Sequence, residues 1–175
     1  MSFAAYAGGQ VAIALFPILM MGAGAVDVMT MRIPNRLIVA LATLFVPFAV
    51  VTGMPLWLLG LHAGTGAVLL LVGFGLFSLG WIGGGDAKLL AAAGLWLGFP
   101  CVLPFILFSA VAGGLLAAAV GIWFTLTAEA SLNSATLGNA LAPMRPDLPY
   151  GFALATGAIL AVPFSWWMSA ASIPA

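Results

Sequence analysis

The stretch GQVAIALFPILMMGAGAVD, Gly9–Asp27, carries no charge until its last residue. A helix that crosses a bilayer needs about 20 predominantly apolar residues, and this run meets that ruler. Its closing residue does not fit a purely lipid-facing role. A carboxylate at the centre of a spanning helix costs roughly 3 kcal/mol to insert, and less near the interface. Ionisable groups kept in such segments are functional candidates by default. The rest of the chain shares the same character: of 175 residues, 65% are hydrophobic and 5% charged, where globular proteins carry about a quarter. That excludes an ordinary soluble domain.

Outward from this run, five more segments reach spanning character: 37–54, 57–80, 87–101, 103–126 and 151–170, with the first at 9–28. The fourth is short. Pro100 and Pro104 offer the place where the chain reverses between the fourth and fifth. Strands are excluded because the apolar runs are continuous rather than alternating, and too long for barrel strands. Pro17, Pro47 and Pro163 fall inside expected spans, where neighbouring helices can re-satisfy the freed carbonyls. Gly60-x-x-x-Gly64 and Gly94-x-x-x-Gly98 would let helices approach closely. The N-terminus lacks the basic region of a signal peptide, so the first run is expected to be retained. The expected fold is all-α, a polytopic membrane protein of about six transmembrane helices forming a single domain over 1–175.

Four basic and four acidic residues give zero net charge, so nucleic acid is not an expected partner. One cysteine (Cys101) and one histidine (His62) supply neither a disulfide framework nor a Cys/His zinc site. No metal and no cofactor is expected. Arg32, Arg36, Lys88 and Arg145 fall in or beside alternate connections, hence on one side, which the positive-inside rule makes cytoplasmic. Asp27, Asp86, Glu129 and Asp147 map to that same side. Between Asp27 and Asp86 the chain crosses out and back, so both carboxylates are expected at similar depth.

Two carboxyl groups in one partly dry site do not both ionise easily. At 4 Å and an effective dielectric of about 20, their repulsion is roughly 4 kcal/mol. One then holds a proton as an acid while the other acts as a base, the arrangement that aspartic proteases turn on water. Gly83-Gly84-Gly85 before Asp86 would let an extended substrate strand come close. Each aspartate also has a plainer reading: Asp86 as the N-cap of the fourth span, Asp27 as a partner of Arg32 or Arg36.

Asp27 with Arg32-Ile33-Pro34-Asn35 downstream, and then Gly83-Gly84-Gly85-Asp86-Ala87-Lys88-Leu89-Leu90, resembles the prepilin leader peptidases, integral-membrane aspartic peptidases of the GxGD type. Leu148-Pro149-Tyr150-Gly151-Phe152-Ala153-Leu154 is similar to the Pro-Tyr/Phe-Gly stretch that opens the family's last span. The resemblance implies cleavage of the basic leader of type IV prepilin or pseudopilin precursors at the cytoplasmic surface of a bacterial inner membrane. It places the catalytic pair at Asp27 and Asp86. Gly83, Gly84, Gly85, Lys88, Pro34, Asn35, Pro149, Tyr150 and Gly151 would shape the site. The chain departs from the longer bifunctional members in having no large insertion after the first span and no paired Cys-x-x-Cys motifs, and is similar to the short, cleavage-only members.

Secondary features keep two readings each. Lys88 either snorkels to headgroups or biases Asp86 and fixes topology. Pro34-Asn35 either starts a helix or lends Asn35 to substrate backbone. The 127–150 connection is either a solvated linker or a cover over the mouth of the site. His62 and Cys101 read as structural, and the Met and Trp residues as mostly lipid-facing or interfacial, with Trp57, Trp166 and Trp167 in an interfacial belt. The competing function is a transporter that uses Asp27 and Asp86 to relay protons or bind a cation. A non-catalytic scaffold is the third reading, and it predicts that loss of either aspartate is tolerated.

Overall fold

The computed structural model describes residues 3–131 and 148–172. The chain runs through α1 (Phe3–Thr30), α2 (Asn35–Val51), α3 (Leu56–Ser78), α4 (Gly84–Leu97), α5 (Val102–Ser131), α6 (Tyr150–Ala161) and α7 (Trp166–Ser172). Short 3-10 turns join α4 to α5 at Phe99–Cys101 and α6 to α7 at Val162–Phe164. Among the described residues every regular element is helical, and three segments are long and apolar enough to cross a membrane: Phe3–Thr30, Leu56–Ser78 and Phe99–Trp123. The chain is a polytopic helical membrane protein, as its apolar runs predict.

Pro17 and Pro47 sit inside α1 and α2 without ending them. Pro163 differs. The expected span over 151–170 is broken at Val162–Phe164, and Ser165 takes an extended backbone before α7 begins. Proline removes one amide and clashes with the preceding turn; here the chain resolves the conflict by breaking. Pro100 falls in the reversal between α4 and α5, as expected, whereas Pro104 lies inside α5.

The 14-residue α4 is the inner helix, with most of its residues buried. It rises about 21 Å, less than the roughly 30 Å hydrocarbon core. It packs on α2, α3 and α6, while α1 packs on α2, α6 and α7. Small residues make the close approaches. A β-carbon on Gly73 would lie 3.0 Å from Ala87 Cα, and one on Gly66 would lie 3.2 Å from the Ala91 carbonyl oxygen. Gly94 sits against the Leu69 side chain and Gly98 against His62. The other glycine pair does not behave as expected: Gly60 and Gly64 meet nothing within 4 Å.

The core is aromatic, and Trp96 and Trp167 depart from the lipid-facing or interfacial reading that the exposed Trp57, Trp81 and Trp123 follow. Trp96 has no exposed surface, stacks on Phe16 at 5.3 Å between centroids, and meets Phe45 edge-on at 5.9 Å. Its Nε1 donates to the Leu41 carbonyl oxygen at 2.7 Å. Trp167, expected in the interfacial belt, is buried and donates to the Trp96 carbonyl oxygen at 2.6 Å. Trp57 is exposed as expected. A buried indole N–H needs such a partner. Trp96→Phe is expected to lower stability by about 1–3 kcal/mol by leaving that bond unmade. Thermal unfolding in detergent, with Trp57→Phe as control, checks it; equal midpoints for the two variants would refute the assignment.

Candidate active site

α1 carries Asp27 near its end. One turn later the helix stops: the Met31 amide still donates to the Asp27 carbonyl oxygen at 2.7 Å, but Met31 takes a φ of 52° and the chain leaves the helix. A short link then delivers Pro34, whose extended backbone caps α2, and Asn35 opens that helix. Pro34-Asn35 therefore does start a helix, and Asn35 has a second task. Its Oδ1 accepts from Lys88 Nζ at 3.0 Å, which ties the start of α2 to the first turns of α4. The Lys88 ammonium thus turns to Asn35 rather than to Asp86.

The Asp27 carboxylate is buried, with 5% of its surface exposed. Its Oδ2 accepts from the Gly151 amide at 2.8 Å. This is a first-turn amide of α6, behind its Pro149 cap, while the next amide, Phe152, donates to the Pro149 carbonyl oxygen at 3.1 Å. First-turn amides lack the i−4 partner of the helix interior, and the helix N-terminus favours an anion. Asp27 therefore faces α6, not Arg32 or Arg36. Gly151 is required here by space: a β-carbon would lie 2.7 Å from Asp27 Oδ2.

Asp86 is held by the same logic, within its own helix. Gly83 is the N-cap of α4 and Asp86 its third residue, so the expected N-cap role belongs to Gly83. The Gly83 amide donates to Asp86 Oδ2 at 3.0 Å. Asp86 is 8% exposed. Thus two carboxylates from distant segments each accept from an amide at a helix start, and Ile33 lies against the glycines beside both. Of the three glycines, Gly83 supplies the amide, Gly84 lies against the Phe77 ring, and Gly85 lies against Ile33.

Beside Asp86, a cavity of about 580 Å³ opens between α3, α4, α5 and α6. Its walls are apolar, with Val72, Leu76, Leu90, Ile106 and Ala153, and Tyr150 stands in its lining. Two contributors escaped the sequence reading. Gly24, one turn before Asp27, lets α1 approach α6, since its β-carbon would lie 2.9 Å from Ala155 Cβ. Ile33 packs between the glycines of both motifs. Gly24 shares a helix face with Asp27 at i, i+3, a signal that was present; nothing in the sequence singles out Ile33. The 127–150 connection lies mostly outside the described residues, as do Arg145 and Asp147.

No solved structure gives a significant match to this chain. A prepilin leader peptidase/N-methyltransferase of Bacillus subtilis (strain 168) is 30% identical over 135 residues, covering 77% of this chain and 48% of that protein. The chain thus spans about half the length of that curated relative. The family model described as type IV leader peptidase matches residues 14–118, a stretch that contains α4 whole and both aspartates. A match over more than half of its length means that this chain belongs to the type IV leader peptidase family.

Proposed function

We propose that this protein is a membrane-embedded aspartic endopeptidase that removes the leader from type IV prepilin or pseudopilin precursors at the cytoplasmic face of a bacterial inner membrane. The observation that supports the reading is the burial of Asp27 and Asp86 at helix starts linked through Ile33, in a chain of the leader peptidase family. One carboxylate takes a proton from the attacking water while the other, protonated, donates to the scissile carbonyl. Water oxygen bonds to the carbonyl carbon, and a tetrahedral diol forms. Proton transfer to the leaving nitrogen then breaks the C–N bond, giving a leader carboxylate and a new amino terminus. The apolar cavity next to Asp86 suits the apolar stretch that would follow the leader in such a precursor. The basic leader would remain on the charged, cytoplasmic side.

The test is incubation of the purified protein, in liposomes, with a peptide carrying a basic leader, a glycine and an apolar stretch. Mass spectrometry should find one cut at the leader boundary. A folded protein that cuts none of several host-derived precursors, yet carries an ion flux lost in Asp27→Asn, would replace peptidase by transporter.

A further inference from the structure

The link between α1 and α2 is a surface segment with one exception. Met31, Arg32, Pro34, Asn35 and Arg36 are all exposed, whereas Ile33 is 9% exposed and belongs to the hydrophobic core. Its side chain lies between the two glycines that adjoin the two carboxylates. On one side, a β-carbon on Gly85, the residue before Asp86, would lie 3.2 Å from Ile33 Cβ. On the other, a β-carbon on Gly151, whose amide holds Asp27, would lie 2.7 Å from Ile33 Cδ1. Neither glycine could carry a side chain without moving Ile33.

This placement matters because the helices bearing the carboxylates do not pack extensively on each other. Among the described residues, α1 and α4 each pack on α2 and on α6 rather than extensively side by side. The separation of Asp27 from Asp86 is therefore set through intermediaries. α6 is one, since its first turn binds Asp27, and α2 is another. Ile33, in the link that leads into α2, touches both the start of α4 and the start of α6, and the Lys88–Asn35 bond at 3.0 Å pins that link. A close-packed side chain transmits displacement, because interiors leave few voids to absorb it.

We propose that Ile33 is a positioning residue, a spacer keyed into Gly85 and Gly151 that fixes the distance between the Asp27 and Asp86 carboxylates. The proposal rests on the peptidase reading for its kinetic consequence, but its geometric consequence stands apart. Ile33→Val removes only Cδ1, the atom against Gly151, and retains Cβ against Gly85. Ile33→Ala empties the contact with Gly151 and strips Cγ1 from the contact with Gly85, leaving Cβ alone against it. Misplacement of catalytic groups by about 1 Å can cost a hundredfold in rate, so Ile33→Ala should lower kcat by about that factor with KM within about threefold. Ile33→Val should fall between Ile33→Ala and wild type. Val162→Ala, another buried apolar position away from the pair, should lower thermal stability and leave kcat near wild type.

The geometric arm needs no activity. Asp27→Cys and Asp86→Cys are combined in a Cys101→Ala background, and disulfide formation under mild oxidation is timed with and without Ile33→Ala. The spacer predicts a clear change in rate with Ile33→Ala and none with Val162→Ala. An unchanged rate, or a kcat loss that merely follows unfolding in all variants alike, overturns it. If wild type cleaves nothing, the peptidase reading fails while the cross-linking rate still decides the spacer.

Discussion

Asp27→Asn and Asp86→Asn are each expected to abolish leader cleavage, by at least about a thousandfold, the range that a positioned acid or base supplies. Asparagine is the informative replacement because it keeps shape and an acceptor oxygen while losing the ability to exchange a proton. In Asp86→Asn the amide oxygen can still take the Gly83 amide, now met at 3.0 Å. In Asp27→Asn it can still take the Gly151 amide, now met at 2.8 Å. Both hydrogen bonds begin helices, so both variants should fold and melt close to wild type. A purely structural role for each aspartate, accepting an amide at a helix start, makes the opposite forecast: asparagine serves nearly as well, and cleavage survives. Residues that work as a unit are grossly non-additive, so the double variant should be no slower than the worse single one. Single-turnover cleavage of the leader peptide, read beside a thermal melt, separates the outcomes. Cleavage persisting in either single variant ends the two-carboxylate mechanism.

The architecture was legible because lipid imposes simple rules. Long uncharged runs had to be helices, and the boundaries expected for 37–54 and 57–80 lie within a few residues of α2 and α3. That the segments bearing Asp27 and Asp86 come near each other, joined through Ile33, agrees with the topological expectation that an even number of crossings returns the chain to the same side. What escaped the sequence depends on which face of a uniformly apolar helix turns inward. Amphipathic patterning is lost when both faces are apolar, so Trp96 and Trp167 read like lipid-facing or interfacial residues although they donate into the core. For the same reason Gly60-x-x-x-Gly64 looked like a packing motif, while Gly66 and Gly73 make the α3–α4 contact. The break at Pro163 escaped because membrane helices tolerate proline at Pro17 and Pro47. Ile33 escaped because its importance lies in two glycines that are far from it in sequence.

Gly98→Ala is expected to be a strongly damaging small substitution outside the site, and it should act on folding alone. Gly98 ends α4 with φ 76° and ψ 170°, a region essentially reserved for glycine. A β-carbon forced there costs of order 1–3 kcal/mol. The same β-carbon would lie 2.6 Å from His62 Nε2 and 2.7 Å from its Cε1. His62 has little room to yield. It is buried, its Nδ1 donates to the Leu95 carbonyl oxygen at 2.8 Å, and its ring stacks on Phe45 at 5.6 Å. Overpacking of this kind adds about 1–3 kcal/mol. The sum is a large share of the 5–15 kcal/mol that holds a typical domain together, so the variant should melt well below wild type or fail to fold in detergent. Gly60→Ala provides the contrast, because its added methyl meets nothing within 4 Å and alanine favours a helix interior by up to about 1 kcal/mol. Pairing Gly98→Ala with His62→Ala relieves the clash but not the backbone strain, so the recovery should be partial. Full recovery would assign the whole effect to His62. A midpoint for Gly98→Ala alone equal to that of wild type would mean that the chain reverses between α4 and α5 by a different backbone path.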